Sequence, residues 1–215
     1  MRTNQKHRLR RLSALVLALA MTFALASCGG SKPFDASGYV EASLKLLTTG
    51  EDSGLSEYSK DAAVFTKEDY ETEVTEVVQS VAGEMDLSEE NQTKAEDLIQ
   101  SIMSNTSFTV GEATENEDGS FDVPLTVKPL QLNIANDVTE WIAGLDYTKV
   151  SDMDALYGEI FQIMQKSADK KEYGAEKTYT VHVAKNDDGL YDADEDEMSE
   201  IGASLFTTDL DDLMS

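Results

Sequence analysis

The chain has 215 residues, of which 40% are hydrophobic, and this is enough for a folded core and excludes disorder throughout. Its 17 basic and 42 acidic residues give a net charge of −25 at pH 7. The negative electrostatic potential of such a chain disfavours nucleic acid and other polyanions as partners. A high net charge also keeps a protein soluble.

The first 27 residues have the pattern of an export signal. Five basic residues and no acidic residue precede a largely apolar stretch from Ala14 to Ala26. This stretch has 13 residues, well short of the ~20 that a membrane-spanning helix needs. A basic segment, a short apolar segment and a small final residue are typical of a cleaved signal peptide.

The single cysteine of the chain, Cys28, follows this stretch directly. Residues Leu25-Ala26-Ser27-Cys28 resemble the lipobox of bacterial lipoproteins, which implies that the Cys28 sulfur receives a diacylglyceryl group and that the chain is cut before it. A thiolate suits that acylation, and a lone cysteine cannot form an internal disulfide. We therefore expect a lipid anchor that holds the protein at the outer face of the cytoplasmic membrane. The alternative is a secreted protein with a free thiol.

Cleavage after residue 27 would change the charge balance of the chain. It would leave 12 lysines, no arginine and all 42 acidic residues, a net charge of −30. Without a guanidinium group the mature chain lacks the side chain best suited to bidentate phosphate binding. Residues 28–33 are interpreted as the lipidated cysteine and a linker, in which Gly29 to Pro33 span at most ~17 Å. Residues 34–215 have the length of a single domain.

Three amphipathic helices are predicted at the start of the domain. Asp35 is the expected N-cap of the first and Gly50 its end, and Thr66 with Asp69 resembles a capping box that opens the second. Segment 87–103 has the spacing of a third helix. The apolar stripes comprise Tyr39, Val40, Ser43, Leu44 and Leu47, then Tyr70, Val74, Val77, Val78 and Val81, then Ala95, Leu98, Ile99 and Ile102.

The period of the apolar residues then changes from helical to alternating, which predicts strands. An Asp118-Gly119 turn separates two alternating segments, and this arrangement is typical of a hairpin. Pro124 and Pro129 predict that its second strand is partly an edge, because proline has no backbone N–H to donate. The apolar positions are Phe108 and Val110 before the turn and Phe121, Val123, Leu125 and Val127 after it.

Two more helices, a second hairpin and a terminal helix complete the chain. Ser151 and Asp154 are expected to open the second of these helices, and Asp188-Gly189 to form the hairpin turn. The helical stripes comprise Ile134, Val138, Trp141, Ile142 and Leu145, and then Met153, Leu156, Tyr157, Ile160, Phe161 and Met164. The strand alternates Tyr179, Val181 and Val183, and the acidic terminal helix is expected to carry Ile201, Leu205 and Phe206.

This order predicts an α+β domain, with N-terminal helices, an antiparallel sheet of about four strands and a helical pair inserted between two hairpins. Together with the lipobox and the closing segment TVHVAKNDDGLYDAD, it is similar to a group of uncharacterised surface lipoproteins of Gram-positive bacteria. That resemblance implies a cone-shaped, nuclear-transport-factor-like or cystatin-like fold with helices packed in a curved sheet.

His182 is the only histidine after the predicted signal, and the strand pattern places it with Thr178 and Thr180 on the polar side of the sheet. One histidine and one cysteine exclude a multi-histidine zinc site and, in the mature chain, a Cys–His nucleophile pair. His182 is interpreted either as a solvated surface histidine or as an acid–base group beside a carboxylate.

The acidic run from Asp192 to Glu197 offers carboxylate oxygens, which Ca²⁺ prefers. Glu197 and Ala203, however, stand where the helix-loop-helix calcium motif requires a turn glycine and a bidentate glutamate. Asp192, Asp194 and Asp196 are therefore weak metal candidates. Acidic residues near a helix N-terminus also need no ligand to explain them.

No cofactor is predicted, and the mature chain carries no recognised catalytic motif. We expect a non-catalytic binding or interaction domain whose partner is an envelope component, a protein or a small solute. An extracytoplasmic, hydrolase-like enzyme that uses carboxylates and a structural envelope protein are the alternatives. The candidate surface is the polar sheet face, with Thr126, Thr178, Thr180 and His182, or a cavity beside Trp141 and Tyr157.

Overall fold

The computed structural model describes residues 34–51, 54, 55, 58, 67–145, 152–187 and 189–209. The helices are α1 (Ala36–Thr49), α2 (Lys67–Met85), α3 (Glu89–Ser104), α4 (Ala135–Gly144), α5 (Met153–Asp169) and α6 (Glu195–Ser204). The strands are β1 (Ser107–Val110), β2 (Thr114–Glu115), β3 (Phe121–Lys128), β4 (Leu130–Leu132), β5 (Lys177–Lys185), β6 (Tyr191–Ala193) and β7 (Phe206–Thr208). The predicted α+β class, with α4 and α5 between two hairpins, is confirmed. Cys28, Thr66, Ser151 and Asp188 lie outside the described residues.

The main sheet is antiparallel, with strand order β1-β3-β5-β6, and β2 extends the β1 side. Both turn glycines that the sequence indicated have the left-handed backbone that favours glycine, with φ of 82° at Gly119 and 78° at Gly189. These two turns set the register in which β1 and β2 pair with β3 and β5 pairs with β6. The helical pair carries the chain from β3 to β5, which lies directly beside it.

The helix boundaries follow from local capping. The Asp35 carboxylate accepts a hydrogen bond from the Gly38 N–H at 2.9 Å, and α1 ends at Gly50, whose φ is 69°. Ser88 caps α3 through its side-chain oxygen. Asp152 caps α5, and its carboxylate accepts from the Asp154 N–H at 3.0 Å. Short polar side chains at these positions satisfy the N–H groups that the first turn of a helix leaves unpaired.

One face of β3 forms the centre of the core. Its buried residues are Phe121, Val123, Leu125 and Val127, which alternate with more exposed ones. Helix α1 packs against β1 and β3, and α3 packs against α1, α2 and α5. Burying each of these apolar side chains contributes about 1.5–3 kcal/mol relative to exposure. The core therefore lies between the sheet and the helices, and the other side of the sheet stays polar.

The prediction that β3 is partly an edge is wrong, because β3 pairs with β1 and β2 on one side and with β5 on the other. Proline is tolerated here because β1 and β2 are separated by a bulge opposite Pro124. The Ser37 hydroxyl of α1 donates to the Gly111 carbonyl and accepts from the Ala113 N–H, both at 2.8 Å. The helix therefore satisfies the backbone that the bulge removes from the ladder.

The end of the chain differs from the sequence-based expectation. Helix α6 ends at Ser204, so Phe206 belongs to strand β7 and not to the helix. Strand β7 pairs in parallel with β4 in a second, two-stranded sheet. Among the described residues of the expected helical stripes, Ile142 and Met153 are exposed, at 40% and 57%.

None of the helices in the described residues combines the length and the apolar character of a membrane-spanning helix.

Candidate functional site

The side of the main sheet that faces away from the helices, which we call the outer face, brings together the sheet residues that the sequence singled out. Adjacent strands place Thr126 opposite Thr178, Pro124 opposite Thr180, and Asp122 opposite His182. Thr178 and Thr180 are exposed, and Thr126 and His182 are half-buried. The alternation of side chains along a strand puts all six residues on one surface.

The threonines form a row across three strands. Thr109 of β1 lies opposite Thr126 of β3, which lies opposite Thr178 of β5. Each side chain presents one hydroxyl that donates and accepts, together with a methyl group. The row is therefore suited to hydrogen bonding with a polar partner, without any net charge of its own.

His182 and Asp122 form an ion pair at one end of the outer face. The His182 Nδ1 lies 3.0 Å from the Asp122 Oδ1, and both side chains are more than 40% exposed. This hydrogen bond is the main cause that raises the pKa of His182 and lowers the pKa of Asp122. The carboxylate therefore fixes the ring and favours its protonated form.

The backbone of His182 is held by the start of α6. Its N–H donates to the Glu197 Oε2 at 2.6 Å, and its carbonyl accepts from the Asp194 N–H at 2.9 Å. Strand β6 ends at Ala193 and pairs only with Val183 to Lys185. The contacts with Glu197 and Asp194 therefore satisfy the His182 backbone, which has no partner in β6. His182 is thus joined to β3 through its side chain and to α6 through its backbone.

Ser120 lies in the turn next to this pair, but it is not arranged as a nucleophile. Its hydroxyl donates to the Asp118 Oδ1 at 2.7 Å and accepts from the Asn116 side chain at 3.0 Å. Only 4% of Ser120 is exposed, and its bonds lower the pKa of Asp118. Among the described residues no hydroxyl or thiol is hydrogen-bonded to the His182 ring, so a Ser–His–Asp triad is not formed there.

We predict that replacing Asp122 by asparagine lowers the pKa of His182 toward its ordinary value of 6.5. The raised pKa of His182 stabilises the fold fully below 6.5 and less as the ring loses its proton above it. The lowered pKa of Asp122 stabilises the fold fully above 3.8 and less as the carboxylate is protonated below it. The pair therefore stabilises the fold most between pH 3.8 and 6.5.

The measurement is an NMR titration of the His182 ring protons in the parent and in the Asp122→Asn variant. Glu140→Gln on α4 is the matched control, because Glu140 is an exposed carboxylate on another element. An unchanged titration in Asp122→Asn would contradict the assigned pair.

The acidic residues near α6 are used by the fold. The Asp194 carboxylate caps α6 by accepting from the Glu197 N–H at 3.0 Å, and Asp196 is exposed on the first turn. Asp192 lies on β6 opposite Ala184, and its charge contributes to the raised pKa of Tyr39, which is about 12 and arises mainly from burial. Within the described ranges no group of three or more His, Cys, Asp or Glu side chains is arranged to hold a metal ion.

Trp141 and Tyr157 do not belong to the outer face. They lie on α4 and α5, are half-buried and pack against the core. The structure therefore separates the two surfaces that the sequence left as alternatives. Sequence reasoning missed Asp122 and Glu197 as partners of His182. The β3–β5 register that pairs Asp122 with His182 joins strands separated by the helical pair, so no local turn signal could have supplied it.

An aromatic cluster holds the start of the folded domain. The Phe34 ring stacks on Tyr191 of β6 at 4.0 Å between centroids and lies 5.8 Å from Phe121 at the start of β3. Tyr39 and Tyr58 lie within 6.0 Å of the same ring. The chain therefore enters the domain at the end of the sheet that carries the His182–Asp122 pair.

The comparisons with known proteins concern the fold. The chain is similar to a predicted lipoprotein, ycdA, of Bacillus subtilis, whose crystal structure matches it with a TM-score of 0.52 at 18% sequence identity. The match covers 81% of this chain and 57% of that protein, so this chain spans little more than half its length. No protein-family profile and no curated protein matches the sequence. The nuclear-transport-factor-like arrangement stays a prediction.

Proposed function

We propose that this protein is a lipoprotein anchored at the outer face of the bacterial cytoplasmic membrane through a diacylglyceryl group on Cys28. The basic and apolar segments of the signal and the Leu25-Ala26-Ser27-Cys28 lipobox support this proposal. The fold shared with a protein described as a predicted lipoprotein agrees with it. Two acyl chains, at about 0.8 kcal/mol for each buried CH₂ group, give a lasting anchor.

The folded domain is, in this proposal, a non-catalytic binding domain whose contact surface is the outer face. The observation that carries this assignment is the contrast between the two sides of β3. Leu125 and Val127 are fully buried under the helices, whereas Pro124 is exposed and Thr126 is half-buried on the other side. A polar, hydroxyl-rich sheet surface suits an envelope component, a protein or a polar solute better than a nucleic acid.

The position of Phe34 supports a membrane-proximal role. Five residues, Gly29 to Pro33, separate the anchoring cysteine from the aromatic cluster, a distance of at most ~17 Å. The end of the sheet with the Phe34–Tyr191 stack would therefore face the membrane. The outer face would run away from the lipid surface and meet components of the cell envelope.

A photo-crosslinking residue in place of Thr126 tests the binding surface in living cells. We expect a discrete adduct from position 126, because its side chain points outward from the centre of the outer face. The matched control places the same residue at Glu140, which is exposed on α4. If the two positions give the same adducts, or neither gives one, the outer face is not the contact surface.

The His182–Asp122 pair favours an enzyme as the second candidate. A carboxylate that orients an imidazole is the arrangement of a general base, and its ring is partly exposed. Turnover of a substrate in a hydrolase screen that is lost in His182→Gln would select the enzyme. Turnover that persists in His182→Gln would exclude this histidine as its base.

A further inference from the structure

The backbone of β5 has an open edge beyond the point where β6 ends. The N–H and carbonyl groups of His182 point away from β3, since they bond to Glu197 and Asp194 of the α6 start. Backbone direction alternates along a strand, so those of Thr180 and Thr178 point the same way. Strand β6 reaches only the residues from Val183 to Lys185.

These groups of Thr178 and Thr180 have no hydrogen-bond partner in the part of the chain that the structure describes. Both residues are exposed, and the two N–H and two carbonyl groups form a short, regular row. An unpaired row of this kind is a template for another strand.

The opposite edge of the sheet is protected. Strand β1 is separated from β2 by the bulge, whose backbone is bound by Ser37 of α1. Phe108 and Val110, whose backbones point outward there, are half-buried beside that helix. Bulges and covering helices are common ways of blocking an edge. Strand β5 also contacts a helix, α6, but among the described residues no bulge and no side chain blocks the backbone of Thr178 and Thr180, so this edge is the better site for strand addition.

Charge decides between the two kinds of strand that could occupy this edge. The chain carries 42 acidic against 17 basic residues, so a second copy would bring like charge. Helix α6, which contacts β5, presents Asp196 and Glu200 as exposed carboxylates. Together with the exposed Glu176 they outnumber Lys177, the exposed lysine next to Thr178. A segment rich in lysine or arginine is complementary to this surface.

We propose that the β5 edge at Thr178 and Thr180 binds an extended, basic segment of a partner protein by strand addition. The proposal rests on the proposed binding function and names its partner class. Backbone hydrogen bonds to the edge supply affinity, and alternate side chains of the added strand extend the threonine row of the outer face.

The probes are two synthetic nine-residue peptides that alternate threonine and valine, one with lysines at both ends and one with glutamates. The full chain in detergent is followed by NMR hydrogen exchange of the Thr178 and Thr180 amides. We expect the lysine peptide to slow both exchange rates at least tenfold, the glutamate peptide to leave them unchanged, and added salt to weaken the effect.

Thr180→Pro is the diagnostic variant, because it removes an N–H that points to the open edge and none that pairs with β3. We expect it to abolish protection of Thr178 while the melting temperature stays close to that of the parent. Glu140→Gln is the control and should leave the protection unchanged, since Glu140 is exposed on α4 and belongs neither to the β5 edge nor to the outer face.

Three results would overturn strand addition by a basic segment. They are unprotected Thr178 and Thr180 amides with the lysine peptide, equal protection by the two peptides, and amides already protected in a dimer of the chain. If the Thr126 crosslink nevertheless captures a partner, the binding function survives and only strand addition fails. If the crosslink fails while the peptide protects both amides, the outer face is not the contact surface. Strand addition at the β5 edge is then supported on its own.

Discussion

Replacing Cys28 by serine is expected to transfer nearly all of the protein from the membrane fraction to the soluble fraction or the medium. The serine hydroxyl is a far weaker nucleophile than a thiolate, so the lipid is not attached. Without two acyl chains, a mature chain with a net charge of −30 is repelled by an anionic membrane surface. Fractionation of cells and labelling with a radioactive fatty acid measure both effects.

Ser31→Ala is the matched control, because it changes the same linker without touching the cysteine. It should retain both the label and the membrane location. If Cys28→Ser stays with the membrane as firmly as the parent protein, the lipid anchor is wrong.

Replacing Leu125 by alanine is expected to lower the free energy of unfolding by about 2–5 kcal/mol, because it leaves a cavity under the helices. Leu125 is fully buried at the centre of β3, between Val123 and Val127, which are also fully buried. Denaturant unfolding followed by the fluorescence of Trp141, the single tryptophan of the chain, measures the change.

The adjacent residue provides the control for the orientation of the sheet. Thr126→Ala removes a side chain on the outer face and should lower the free energy of unfolding by about 1 kcal/mol or less, the range of strand propensity and cross-strand pairs. Equal losses from Leu125→Ala and Thr126→Ala would mean that the inner and outer faces of β3 are wrongly assigned.

Local signals made most of the fold predictable. The sequence predicted the start of α1 at Asp35 and its end at Gly50, because capping depends on a few neighbouring residues. It predicted the two hairpin turns at Gly119 and Gly189, because these turns need a positive φ. The central position of β3 was not predictable from Pro124. A proline at this central position is tolerated because of the bulge between β1 and β2 and the hydrogen bonds of Ser37 in α1. Both are contacts between residues far apart in the chain.

The pairing of β4 with β7 was missed for the same reason. Each has three residues, too few to show a period, and the partners are parallel and far apart in the chain. The candidate site likewise combines residues that local signals predicted with residues that only long-range contacts bring in. The sequence placed Thr178, Thr180 and His182 on one side of a strand, but their partners Asp122 and Glu197 required the register and the turn into α6.

The Phe34–Tyr191 stack has a consequence for the rate at which partners meet. With Cys28 lipidated, as proposed, five residues separate the anchor from the stack, so the domain stays within a layer about 17 Å deep plus its own thickness. Confinement to such a layer turns the search for another membrane-bound molecule into a nearly two-dimensional one and raises its effective concentration. Contacts too weak to form between freely diffusing molecules would then be occupied at the membrane.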